Sequence, residues 1–480
     1  MTPRCVRRFL LGLVLCLGPA LAQATIYHVS SSEGDDSHSG SLDQPLASLS
    51  ALNALSLQPG DTVLFKAGDS WTGMFWPKGS GTAEAPIVID RYGAGARPIL
   101  DGDGYQAAIL LYNEDHIVLR NLELTNEASH LDEFGVTKKL DGFGGETNSW
   151  GSGRDVRFGV KVVADERSLD HFRMDSLLIH DIFPTPVNDN FVHQGYGIKF
   201  ETRSNTPNAT STGACSLFDP GPNASWPRVV TVTTPDSVDS GASQTIGLHV
   251  TALPLSGADG RIVRTLADGS WYNGPAIPLE LGDNLIEVPE VGHERTVRMQ
   301  VSSGDVGFDA LTVNEGQLLC DGTELDGEVR LISDVLVEGC EFERTGHYAI
   351  WVKSLGLVGI DAYKNEGITV RGCGFLHTGG SGFVPNKSRN VLVEGCTFNH
   401  TGSSQDDRMW KRGSGLWPFD CQDVVIQENR FLNAHGPGDS YGAHIDYGNE
   451  NVVLQYNFSY HNEGGFVEIL GDNIRCGYRY

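Results

Sequence analysis

One phrase recurs through the last third of the chain. It reads DVLVEGCEF from Asp334, GITVRGCGF from Gly367, NVLVEGCTF from Asn390, DVVIQENRF from Asp423 and NVVLQYNFS from Asn451. Alternating apolar residues mark strands. A fixed slot in each phrase holds Cys340, Cys373, Cys396, Asn429 and Asn457, a recurrence every 23 to 33 residues. Such a repeat buries its apolar face only against its neighbours, so the chain must stack. Short strands and Gly-rich turns, with no helical period between them, predict a parallel β-helix with successive slots about 4.8 Å apart. An inward Asn in such a column hydrogen-bonds the coils above and below. Cys fits because it is small and buries well. The spacing lacks the short Cys pairs of zinc sites, so the column reads as packing.

The phrase resembles the strands of the right-handed parallel β-helix proteins of the pectate-lyase superfamily. The segment YHVSSSEGDDSHSGSLDQPLASLSALNAL followed by QPGDTVLFKAGDSW is similar to the N-terminal part of many secreted members. The resemblance implies an all-β solenoid and leaves the reaction open, since that fold hosts lyases, hydrolases and adhesins.

Composition agrees with a fold of this kind: 59 of 480 residues are Gly and 20% are charged. Residues 1–24 read as a secretory signal peptide. Arg4, Arg7 and Arg8 precede an apolar run that ends at the small-residue site Ala22-Gln23-Ala24. The run is short for a membrane span, so export is expected to the periplasm or medium. The formal charge of −26 excludes a general basic field for nucleic acid. A monomer acting on an extracellular polysaccharide is expected.

The expected organisation follows the repeat. Residues 25–60 cap the solenoid, with a short helix within Leu46–Leu55. Coils occupy 61–225 and resume over 319–480. Between them, residues 226–318 lose the ladder and show short strands separated by turns, the pattern of an inserted antiparallel β-sandwich. Cys215 and Cys320 flank that segment and are expected to form a disulfide across its base. The sequence stops in mid-repeat at Tyr480, which suggests a truncated chain.

A second strand precedes the phrase in each coil: HYAIWVKS, GSGFVPNKS, GSGLWPFDC, YGAHIDYG and GGFVEILG. Alternation turns Ile350, Val352, Phe383, Pro385, Leu416, Pro418, Ala443 and Ile445 inward. The outward column then carries Trp351, Lys353, Asn386, Trp417, His444 and Asp446. Lys387 and Asp420 stand at turns, Glu468 joins on a shifted last coil, and Lys161, Lys199 and Glu201 extend the column upstream. Aromatic faces stack on sugar rings while polar groups fix their orientation. Trp410 and Arg412 in loop 402–413, with loop 127–157, are expected to wall the groove.

Two reactions fit. For β-elimination on a uronate, a base removes the proton α to the carboxylate, and Ca²⁺ can neutralise that carboxylate. The phrases PNKS and EILGDN resemble strands of the alginate lyase and chondroitinase B family. That resemblance implies Lys387 as the base, although WPFD stands where the family shows an Arg-His-Gly phrase; Lys353 of the outward column is a second candidate base. Elimination is the leading expectation. For hydrolysis, paired carboxylates flank the bond. Asp446 and Glu468 on neighbouring coils, or Asp420 and Glu468 two coils apart, would serve, and Asp446 and Glu468 could also hold a metal. A non-catalytic glycan-binding protein is the third reading.

Overall fold

The computed structural model describes residues 24–127, 156–183, 194–202, 215–218, 228–233, 244–253, 257–265, 271–288, 296–302, 307–313, 317–321, 330–354 and 364–479. The signal segment and loop 128–155 lie outside them, as do the side chains of Cys215 and Cys320, so the expected disulfide does too. Two parallel sheets run the length of the stack, and a third, of five strands, covers its middle and is carried on by isolated bridges. The first collects the strands of the repeat phrase, in which Phe172, Val335, Ile368, Val391, Val424 and Val452 align in one inward row. All six are essentially inaccessible. This is the parallel β-helix read from the sequence.

The phrase is explained by its backbone as well as by its apolar pattern. Its first residues Asp334, Gly367, Asn390, Asp423 and Asn451 have φ of 49°, 69°, 55°, 54° and 55°. Asp, Asn and Gly are the residues that adopt this left-handed region most readily. The slot then works as expected. Asn429 accepts from Cys396 N at 2.9 Å, donates to Val393 O at 3.0 Å, and its own N–H is taken by Asn457 Oδ1 at 2.9 Å. Beside this column, Phe342, Phe375, Phe398 and Phe431 stack at 5.2, 4.4 and 4.9 Å. Cys340, Cys373, Cys396 and Cys421 are buried free thiols, and Cys476 is a half-buried one.

At the N-terminal end, helix Leu49–Asn53 starts on Ser48, whose hydroxyl accepts from Ala51 N, and buries Leu49 and Leu52 over the first coil. The coils continue unbroken across the middle of the sequence. Strand Leu169–Asp175 pairs directly with Ile332–Glu338, and Gln194–Thr202 pairs with Ile350–Lys353. The intervening chain leaves and returns between adjacent coils. Its strands pair antiparallel from Cys215 to Asp321, extending beyond residues 226–318 on both sides. A hairpin partner, Cys215–Phe218, precedes the first strand recognised from sequence. Gly260 of one antiparallel sheet lies where a Cβ would meet Ile286 of the other, and Ile262, Met299, Leu248 and Val250 are buried.

Candidate functional site

The third sheet supplies the surface of interest. Leu110, Lys161, Lys199, Trp351 and Val384 lie in one outward row. Isolated bridges carry the row on to Trp417, His444 and Glu468. The next outward row brings Glu201, Lys353 and Asn386 together. All eight residues expected to point inward are buried, so the alternation was read in the correct register.

Two charged regions occupy this face. In the first, Glu201 Oε2 lies 3.2 Å from Lys161 Nζ and 3.1 Å from Lys199 Nζ. Lys161 is fully buried, and Lys199 and Glu201 nearly so. Burial alone would raise the Glu201 carboxyl, but Lys199, Lys161 and Lys353 outweigh it and hold it down at about 2. One carboxylate cannot compensate three ammonium groups. Burial, with Lys161 and Lys353 adding to it, therefore pushes Lys199 down to about 7. Trp351 lies between two of these cations, 4.3 Å from Lys199 Nζ and 5.0 Å from Lys353 Nζ.

In the second region, aromatic rings form a continuous floor. Tyr196 stacks on Trp351 at 5.2 Å, Trp351 meets Tyr348 at 5.6 Å, and Tyr348 meets Trp417 at 6.0 Å. Trp417 lies parallel to His444 at 5.8 Å, and its Nε1 donates to Ser381 Oγ at 2.9 Å. Trp410 comes from loop 402–413 to lie 6.1 Å from Tyr348, and Arg412 of that loop ion-pairs with Asp439. His444 Nδ1 is 2.9 Å from Ser414 Oγ, and burial pushes this imidazole down to about 4.

Asp446 lies one strand position pair beyond His444. Burial, reinforced by Asp439 and Glu468, pushes its carboxyl up to about 6, against a lowering bond from Tyr447 N. Glu468 stands opposite His444 rather than opposite Asp446, whose partner row holds Leu470. Tyr441 hydrogen-bonds Glu468, which raises the tyrosine. The arrangement holds one carboxyl raised to about 6 among two further carboxylates, above an aromatic floor.

Several expected residues lie elsewhere. Lys387 turns the corner after Asn386 with φ 51° and is 1% exposed. Asp420 occupies the same corner one coil on, also at φ 51°, and is fully buried with its Oδ1 3.1 Å from Lys364 Nζ. Two residues beyond the inward Pro385 and Pro418, strict alternation turns both residues inward, and the corner leaves them buried. Neither reaches the groove surface, so neither the Lys387 base nor the Asp420–Glu468 pair stands in the expected position. Asn386 remains on the face, half-buried. Among the described residues no three His, Cys, Asp or Glu side chains converge on a metal position. Sequence reading missed Asp439, Tyr348 and Tyr441. Asp439 sits in the turn GPGDSYG, seven residues before Asp446, where no strand period marks its direction.

Residues 333–475 match the family described as right handed beta helix region. This chain is a right-handed parallel β-helix. A curated relative, the lacto-N-biosidase of Bifidobacterium longum subsp. longum, is 27% identical over an alignment covering 36% of this chain and 13% of that protein. Among solved structures, the GH136 lacto-N-biosidase from Eubacterium ramulus superposes with a TM-score of 0.55 at 22% identity, covering 95% of this chain and 59% of that one. The present β-helix thus spans under two thirds of either relative. An alginate lyase from Paenibacillus sp. str. FPU-7 superposes at a TM-score of 0.40 and 13% identity, over 94% of this chain and 99% of that one. At that score the likeness has no bearing on the reaction. Among the described residues no helix is long and apolar enough to cross a membrane.

Proposed function

We propose that this chain is an exported glycoside hydrolase with Asp446 as its general acid and Asp439 as the second carboxylate. The observation that carries the reading is the Asp446 carboxyl, pushed up to about 6 by burial beside Asp439 and Glu468. A carboxyl so displaced keeps its proton at the pH where its neighbour works, which is how paired acids divide their roles. Asp446 gives that proton to the glycosidic oxygen as the C–O bond breaks. Asp439, oriented by Arg412, either activates the attacking water or attacks the anomeric carbon. Water supplies the hydroxyl to that carbon and a proton back to the carboxylate pair. Trp417 and Tyr348 offer the sugar an aromatic platform, with the buried His444 packed parallel beneath Trp417.

The relatives named lacto-N-biosidase support hydrolysis and make a lacto-N-biose-terminated glycan the first substrate to test. The elimination reading loses the base that the family resemblance implies with the burial of Lys387. Lys199, held near neutral pKa, is engaged with Glu201 and 8% exposed. Incubation with p-nitrophenyl lacto-N-bioside and a glycan panel, following new reducing ends and near-ultraviolet absorbance together, tests the proposal. Reducing ends without absorbance support it. Unsaturated products, or no product on any glycan, reject it.

A further inference from the structure

A cavity of about 560 Å³ opens at the N-terminal end of the same outer face, beneath the capping helix. Its volume is that of small-molecule sites, which span about 300–1,000 Å³. It is lined by Trp76, Tyr105, Lys78, Asp103, Gly73 and Ser50, among others. Trp76 and Tyr105 are half-buried, each offering part of a ring to the opening. Lys78 is exposed and rests its ammonium 5.1 Å from the Trp76 ring, a contact that a ligand can displace. The space exists because small residues form the floor. A Cβ on Gly73 would lie 3.8 Å from the Tyr105 ring and 4.0 Å from Leu49. The backbone there has φ 120°, so glycine is required.

The cavity lies on the same row as the candidate site, with the fully buried Leu110, Lys161 and Val384 between them. Phe75 bridges Ile109, which places Trp76 beside Leu110 at the head of the outward row that ends in Trp417 and His444. Trp76 is six coils from Trp417, roughly 29 Å at the strand spacing. Trp76, Trp351 and Trp417 share this row, so the cavity and the candidate site each present a tryptophan on one side of the stack. The walls pair aromatic area with a single Lys and a single Asp of opposite charge, a chemistry that fits hydroxyl-bearing neutral pyranose rings.

We propose that this cavity is a distal binding subsite for neutral sugar units of a long glycan, separate from the carboxylate site. The inference takes from the proposed function that this face meets glycan, and it does not depend on which bond is cut. The test is calorimetric binding of neutral oligosaccharides of six to eight units (galacto-, xylo-, cello- and chito-oligosaccharides, with lacto-N-tetraose as the short control) to the whole protein. The Trp76→Ala and Ser50→Trp variants are measured beside wild type. Ser50 is exposed, so the second variant fills the mouth without touching the core. Both variants are expected to lose about tenfold in affinity for at least one long oligosaccharide. Turnover of p-nitrophenyl lacto-N-bioside is expected to stay within about twofold of wild type, because that substrate cannot span both ends. Loss of long-chain binding in a protein that cleaves nothing would sustain the subsite and reject the hydrolase. Equal binding by wild type and both variants, or no long oligosaccharide held by wild type, would overturn the subsite while leaving the hydrolase standing.

Discussion

The outer face of the third sheet buries charge in two places and in two ways. Around Glu201, Lys161 and Lys199 approach one carboxylate within ion-pair distance, and that carboxyl is held down at about 2. Around Asp446, no cation approaches within ion-pair distance among the described residues, and burial lifts the carboxyl to about 6. The first cluster fixes adjacent coils to one another. The second holds a proton ready at a cost in stability. A desolvated group without an ionic partner is the stronger sign of chemistry, because nothing in the fold requires it.

Breaking the first cluster should have the largest effect on folding. Glu201→Gln leaves three ammonium groups around a neutral amide, so about 3–5 kcal/mol of stability should be lost, read from urea or thermal unfolding. A variant as stable as wild type would mean that water or another anion already compensates the lysines.

The second region should respond in the opposite sense. The folded pKa of Asp446 lies above its unfolded value of 3.8. Its protonated form therefore favours folding fully below 3.8, and that contribution is lost as pH rises through about 6. Asp446→Asn, which stays neutral, should gain about 1–2 kcal/mol at pH 7 to 8 after allowance for solvent screening, and nothing near pH 3.8. His444 acts the other way. Its folded pKa is about 4 against 6.5, so its contribution is present above 6.5 and lost as pH falls through 4. Unfolding curves of Asp446→Asn and wild type between pH 4 and 8 would show the crossing, and a constant difference would deny the displaced carboxyl.

A smaller effect separates platform from packing. Trp417→Phe keeps a ring against His444 but removes the bond to Ser381, and should raise KM about threefold to tenfold with kcat nearly unchanged. Loss of kcat alone would place Trp417 in the acid's support rather than under the sugar. In wild type, kcat/KM should fall above pH of about 6 as Asp446 loses its proton.

Much of this architecture is legible in the sequence. The phrase at 334, 367, 390, 423 and 451 specifies strand, turn and slot, because each unit must match its neighbours to bury anything. The outward column from Lys161 to Asp446 follows from period two alone. The errors lie at corners and turns. Lys387 and Asp420 follow the inward Pro385 and Pro418 by two residues, so the period carried through the corner already buries them. Asp439 lies in a turn whose direction is set by Arg412 from a loop of the preceding coil, and nothing local in the chain encodes that meeting. Tyr348 was passed over as a lead-in to a strand, yet it joins Trp351, Trp410 and Trp417.

The most direct test is turnover of p-nitrophenyl lacto-N-bioside, and of the most responsive natural glycan, by wild type, Asp446→Asn, Asp439→Asn and Lys387→Ala. A general acid and its partner predict losses of about 10²–10⁴ in kcat for the two carboxylate variants on the natural glycan, with products free of unsaturated sugars. Lys387→Ala should retain kcat in whatever fraction folds. Full activity in Asp446→Asn, or abolition by Lys387→Ala with products that absorb in the near ultraviolet, would contradict the hydrolase and restore elimination.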